Sequence, residues 1–163
     1  MSAVITAGGA LVTAVVVALL GYALGVRKNR LERIIERRDI AIAEIFGALV
    51  KSQRACISWS AGADPEMRQA VRENYENFLD CYYTRSIWLQ EDTRTEIDAY
   101  VVASHDFILR LEKEMGESGR LADGTTAKEL LSQKLTPTSN DAQDKLRKEV
   151  ETGPSWWRKL FGV

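Results

Sequence analysis

Histidine occurs once in this chain and cysteine twice, so the side-chain sets that usually hold metals or carry nucleophilic catalysis are missing. Cys56 and Cys81 are too few and too far apart for a zinc site or a disulfide framework, and read as buried thiols. His105 stands alone beside Asp106, where an isolated imidazole on a helix is structural or exposed rather than catalytic. No Glu-x-x-His pair exists, which excludes a di-iron bundle on ligands. No glycine-rich phosphate loop appears either, since Gly8-Gly9 sits within an apolar run. The one catalytic pairing available, Cys81 with His105 as base, has no spacing to favour it, and a core thiol is the simpler state. No cofactor, no metal and no enzymatic activity are therefore expected. A dominant charge is lacking as well. Lys and Arg number 22 against 23 Asp and Glu, a balance struck between a basic neck and a more acidic remainder, so nucleic acid is not the expected partner.

Charge is absent altogether from Ala3 to Val26, AVITAGGALVTAVVVALLGYALGV. As a helix this run would rise about 36 Å, against a hydrocarbon core of about 30 Å. A cleaved signal peptide would need a positive leader and a shorter apolar core, whereas the charges here follow the run. A buried core helix would rarely be free of every charged or amide side chain. Residues 1–26 are expected to be a single transmembrane anchor. Next comes RKNRLERIIERRD, a basic neck over residues 27–38. Cations beside a span stay on the cytoplasmic side, which places the N-terminus outside and the C-terminal domain in the cytoplasm at an inner membrane. Arg27, Lys28, Arg30 and Arg33 would meet anionic headgroups, each charge being worth roughly 1 kcal/mol near the surface. Pairs such as Lys28 with Glu32 would solvate the same helix face. Within the run, Ala14, Ala18, Gly21 and Gly25 share one face, on which a second helix could approach closely to give a homo-oligomer.

From Arg27 to about Trp59 proline is absent and Gly47 is the only glycine. Leu31, Ile35, Ile42, Ile45, Leu49, Cys56 and Trp59 recur at about 3.5 residues, so the membrane helix is expected to run on into the cytoplasm. Ile34, Ala41, Phe46 and Ala48 widen this face beyond a coiled-coil seam, and Arg38 and Ser52 interrupt it. Helices folding back from the same chain are therefore its expected cover. Asp64-Pro65 reads as an N-cap and first turn of a second helix reaching about Arg85. Ile87, Trp88 and Leu89 form an apolar connection. Thr93 with Glu96 matches a capping box opening a third helix, which Gly116 and Gly119 close. Tyr75, Phe78, Tyr82, Tyr83, Trp88 and Tyr100 are better explained as core than as a ligand pocket.

The fold class is thus all-α, with a transmembrane helix continuing into a cytoplasmic antiparallel bundle of about three helices over residues 27–120. Short helices or a spacer fill residues 121–154: Thr126 with Glu129 caps one that ends before Pro137, and Ser139 or Asn140 starts another that runs to Thr152. Its apolar stripe, Ala142, Leu146 and Val150, is thin, so the segment either packs lightly on the bundle or serves as a spacer, and Gly153-Pro154 stops it. The tail, residues 155–163, holds two of the four tryptophans. Trp156, Trp157, Arg158, Lys159 and Phe161 suit a turn at headgroup depth, a cap on the bundle or a docking motif for a protein partner.

In layout the chain is similar to the peripheral-stalk subunit of rotary ATP synthases and to membrane-anchored coiled-coil proteins of bacterial division. Those chains carry long, nearly aromatic-free charged coils, from which this aromatic-rich middle departs. Phage inner spanins share its size and single anchor but place the helical region in the periplasm, against which the basic neck argues. The expected partners are membrane lipid, an unidentified protein and a second copy. The expected function is an interaction role at the membrane. An oligomerising membrane-perturbing effector of the defence or toxin kind is the alternative.

Overall fold

The computed structural model describes residues 2–61, 65–114, 121 and 125–152, and the side chains of these except 2–20, 23, 24, 61, 65 and 114. Its elements are α1 (Ser2–Ala61), α2 (Pro65–Arg85), α3 (Glu91–Glu114), a short α4 (Ala127–Leu130) and α5 (Thr136–Thr152). A 3-10 turn, Ser86–Trp88, joins α2 to α3, and a π-helical turn, Leu131–Leu135, joins α4 to α5. No strand occurs among the described residues. The chain falls into two compact units, Met1–Arg38 and Asp39–Val163.

In the first unit Tyr22, Arg27, Lys28, Arg30 and Arg33 are exposed, whereas Arg38 is buried. Lys28 Nζ lies 3.9 Å from Glu32, the expected pairing one turn along. Both side chains are open to solvent, so the pair is worth only a few tenths of a kcal/mol. Among the residues whose side chains are described, no helix is long and apolar enough to cross a membrane. The side chains of residues 3–20, 23 and 24, most of the apolar run, lie outside that set.

The second unit is built on one stripe of α1. Ile42, Ile45, Leu49, Ser52, Cys56 and Trp59 are all at most 1% exposed, and their alternating three- and four-residue steps keep them on one face. The other helices cover that face in alternating directions. Arg85, at the end of α2, pairs with Glu44 of α1, while Arg68, near its start, lies 5.9 Å over Trp59, so α1 and α2 run antiparallel. Tyr82 bonds Asp98 and Arg72 pairs with Glu112, so α3 turns back along α2. Lys145 pairs with Asp92 and Lys134 with Asp106, which makes α5 antiparallel to α3. Gln143 donates to Gln53 and Arg147 stacks on Phe46, closing α5 onto α1. The result is an up-down-up-down four-helix bundle.

Two local expectations hold. α2 begins at Pro65, and Thr126 forms a full capping box, its Oγ1 accepting from the Glu129 N–H at 3.2 Å while its own N–H donates to the Glu129 carboxylate at 2.8 Å. The Asp64 cap, Gly116, Gly119 and the Gly153-Pro154 stop lie outside the described residues.

Three expectations are corrected. The first is the Thr93 capping box. α3 starts two residues earlier, at Glu91, and Thr93 is buried in its first turn. An acceptor at the helix start comes from elsewhere: the buried Glu149 of α5 accepts the Gln90 N–H at 2.9 Å, a tertiary contact.

Pro137, the second, does not separate two helices. Proline in a helix lacks the N–H owed to the carbonyl four residues back and crowds that carbonyl. Here that residue is Gln133, inside the π-helical turn, where the Thr136 N–H reaches back to the Leu131 carbonyl, one residue farther than in an α-helix. The wider turn absorbs the proline, and α5 is helical from Thr136 rather than from Ser139 or Asn140.

The third is the bundle's size, about three helices in the sequence reading. α5 is a fourth member, burying Ser139, Ala142, Leu146 and Glu149 while Val150 stays exposed. Its stripe looked thin because two of its four buried positions are polar and find partners: Gln143 donates to Ser139 at 3.0 Å, and Glu149 accepts from Gln90.

Leu146→Ala should cost about 2–5 kcal/mol of unfolding free energy, the range for a buried leucine left as a cavity. Val150→Ala should stay within about 0.5 kcal/mol. Urea denaturation of the two variants checks this, and equal small effects would show that α5 does not belong to the cooperative core.

Candidate functional site

The aromatic group predicted as core divides when placed in the bundle. Phe78 packs edge-on to Tyr100 with ring centroids 5.3 Å apart and stacks on Tyr82 at 6.2 Å. Every buried phenol finds an acceptor: Tyr75 the Val101 carbonyl at 3.1 Å, Tyr82 the Asp98 carboxylate at 2.7 Å, and Tyr100 the Ser52 hydroxyl at 3.2 Å. Burial pushes the Tyr75 hydroxyl up to about 12, and the Tyr82 and Tyr100 hydroxyls upward too. These groups stay neutral donors and knit the core. Tyr83 is exposed, and Trp88 is half-buried at the α2–α3 turn.

Cys56 is fully buried, and desolvation pushes its thiol up to about 12, which removes the thiolate that nucleophilic chemistry would need. Cys81 is half-buried and likewise raised by burial, with Arg85, Glu44 and Asp80 as its charged neighbours. His105 is exposed, and its ring faces Tyr75 at 6.5 Å. Cys81 and His105 therefore face different surroundings. Among the described residues no three His, Cys, Asp or Glu side chains gather closely enough to hold a metal ion.

The sequence-derived contact residues fall in three places. Gly21 and Gly25 are exposed on α1, and a Cβ built on either would meet nothing within 4 Å. The side chains of Ala14 and Ala18, their companions, lie outside the described residues. Arg27, Lys28, Arg30 and Arg33 are exposed on the neck. Trp156, Trp157, Arg158, Lys159 and Phe161 lie outside the described residues.

The structure adds a feature that the sequence reading missed. Two adjoining hollows, of about 400 and 310 Å³, run along the outer seam between α1 and α2 and share Lys51 and Asn74. Their floor is made of small side chains, Gly47, Ala48, Ala55 and Ala70. Small residues on facing helices hold the two backbones together but leave nothing to fill the seam above them. Lys51, Arg54, Asn77 and Met67 edge the opening. A Cβ added at Gly47 would also meet nothing within 4 Å, so that glycine is not required by packing in the bundle. The signal in the sequence was the seven-residue recurrence of Ala48 and Ala55, together with Gly47 in an otherwise glycine-free stretch.

No known family, characterised protein or solved structure matches this chain. Its function has to be argued from its own residues.

Outside the seam, Arg72 and Glu112 form a two-pronged pair between α2 and α3, with distances of 2.5 and 2.7 Å. The guanidinium holds the Glu112 carboxyl below the ordinary carboxylate range. A carboxyl lowered on folding stabilises the fold above its ordinary value and loses that contribution as pH falls through the folded value. Thermal midpoints measured as pH drops from neutral through the carboxylate range should fall more gently for Glu112→Gln than for the wild type, from a lower starting point at neutral pH. Parallel curves would show that the pair contributes nothing. A thiol reagent at neutral pH should label Cys81 well before Cys56, with Cys56 following only on unfolding, as peptide mapping would show.

Proposed function

We propose that this chain is a single-pass, membrane-anchored helical interaction protein, a scaffold or adaptor holding itself and a protein partner at the cytoplasmic face of an inner membrane, without catalysis. One observation carries the reading: a run from Ala3 to Val26 without a charge, followed at once by a cationic neck and then by a folded bundle. Transfer of such a run from water to hydrocarbon is strongly favourable, and the helical state assigned from Ser2 onward satisfies the backbone groups that lipid cannot. The exposed guanidinium and ammonium groups of Arg27, Lys28, Arg30 and Arg33 suit a headgroup layer and hold the neck on the cytoplasmic side. The bundle supports the interaction half of the reading through its open, small-floored seam on an outer face, a surface for contact rather than an enclosed pocket for a reaction.

The test is fractionation followed by sidedness. After gentle lysis the full chain should sediment with membranes, resist carbonate extraction and dissolve in mild detergent. In a background lacking Cys56 and Cys81, cysteine at Ser2 should react with an impermeant reagent in intact cells. Cysteine at the exposed Ser132 should react only after permeabilisation. Recovery of the full chain in the aqueous fraction without aggregation would overturn the anchor, and the reverse labelling pattern would overturn the orientation. Expression that collapses the membrane potential, relieved by Gly21→Leu or Gly25→Leu, would replace the scaffold reading with that of a membrane-perturbing effector.

A further inference from the structure

We propose that the α1–α2 hollow edged by Lys51, Arg54 and Ser58 is an anion-binding site, and that it takes the phosphate group of a small phosphate monoester. The inference goes beyond the interaction reading above and does not need the anchor.

The site is marked by cations that no carboxylate meets. Elsewhere in the bundle, cations that reach across between helices end on carboxylates: Arg85 on Glu44, Arg72 on Glu112, Lys134 on Asp106 and Lys145 on Asp92. Lys51 and Arg54 break this pattern. Both are exposed, and neither is in an ion pair among the described residues. Both line the hollow of about 310 Å³, whose described lining holds no carboxylate. Glu44, the acidic group of the adjoining hollow, is two turns away from Lys51 along α1 and is already held by Arg85.

The geometry lets both charges act on one ligand. Lys51, Arg54 and Ser58 follow each other at steps of three and four residues, so they share one face of α1, with about 5–6 Å between neighbouring Cβ atoms. One phosphate group spans that gap. The Arg54 guanidinium can grip two of its oxygens as a fork, the Lys51 ammonium supplies a point charge, and Ser58 adds a hydroxyl donor. From α2, Asn74 lines the other side of the hollow. One of its amide hydrogens is donated to the Ala70 carbonyl at 2.7 Å, which leaves the second for a ligand. Two cations and these donors match a phosphate monoester, with about −1.5 to −2 charge and three acceptor oxygens, better than a carboxylate with one charge and two oxygens.

The rest of the lining describes what the phosphate is attached to. Ala55, Ala70 and Met67 are apolar, so the body of the ester meets hydrocarbon there. The volume stands at the small end of the range for ligand pockets, about 300–1,000 Å³, and suits a ring or a short chain. Because the hollow opens to water, the dissociation constant is expected at about 0.1–1 mM and should rise with salt.

The test uses the full chain, nitrogen-15 labelled, in an uncharged detergent and a phosphate-free buffer, with phenyl phosphate as the probe. Saturable resonance shifts should appear at the Lys51, Arg54 and Ser58 amides and at the Asn74 side-chain amide, and not around the exposed cations Arg94 and Lys148. Inorganic phosphate, which lacks the apolar body, should bind about threefold more weakly or worse, and phenol, which lacks the charge, should not bind. Lys51→Gln and Arg54→Gln should each weaken phenyl phosphate by about tenfold. Arg54→Lys should lose less, because it keeps the charge and gives up only the fork. All three positions changed are exposed, and unchanged helical circular dichroism separates a lost site from a lost fold. Lipid is a second source of the same chemistry, so the titration is repeated in phosphatidylcholine bilayer discs with and without phosphatidic acid. Shifts from phenyl phosphate in plain discs support a soluble ester as ligand, and shifts from phosphatidic acid alone support a headgroup. No saturation at about 10 mM in any arm overturns the site. So do equal shifts at Arg94 and Lys148, phenol binding as tightly as its phosphate, or a Lys51→Gln, Arg54→Gln double variant that binds like the wild type.

Discussion

Everything in the bundle depends on covering one stripe of α1. Between Ile42 and Trp59 this helix presents about five turns of side chains that water should not touch, and no single helix is wide enough to cover them. α2 and α5 close on it from either side and α3 from above, and the three covering helices then need contacts with one another. Ser52, in the middle of the stripe, would be a liability if left alone, because a buried hydroxyl without a partner costs about 1–3 kcal/mol. The Tyr100 hydroxyl donates to it at 3.2 Å, so the polar interruption fixes which residue of α3 must lie opposite. An all-apolar stripe would tolerate sliding, and this one does not.

How much of this could be read from the sequence varies with how local the cause is. The stripe itself, the start of α2 at Pro65 and the Thr126 capping box were legible because each depends on residues within a turn or two. Where the cause is distant, the sequence misleads. The start of α3 looked as if it should be set by Thr93, but Glu149, remote in the chain, supplies the acceptor at Gln90. The apolar stripe of α5 looked thin because two of its buried positions, Ser139 and Glu149, are polar, and only their partners show them to be interior. On the neck, Arg27, Lys28, Arg30 and Arg33 are exposed. Composition could not reveal the seam above Ala48, Ala55 and Ala70, since a hollow belongs to two helices at once.

The polar chemistry of the molecule follows the same division. Inside, the phenols of Tyr75, Tyr82 and Tyr100 are matched to acceptors and held neutral, which gives rigidity without reactivity. Outside, charges sit in lines along the helices, some spent on crossing pairs such as Arg72 with Glu112 and some left facing water, as at Lys51 and Arg54. A bundle arranged in this way is a platform: its interior sets a shape and its exterior displays a pattern.

The π-helical turn at Leu131–Leu135 does more than tolerate Pro137. Ala127, Leu131, Leu135 and Ser139 are buried at three successive strides of four. In an ordinary helix each such stride would swing the next side chain about 40° off course, so the last would point well away from the first. The wider turn takes up much of this creep. One surplus residue thus acts as a phase corrector, keeping two stretches of different pitch aimed at a common interior and delivering Glu149, fourteen positions beyond Leu135, to the backbone it must meet.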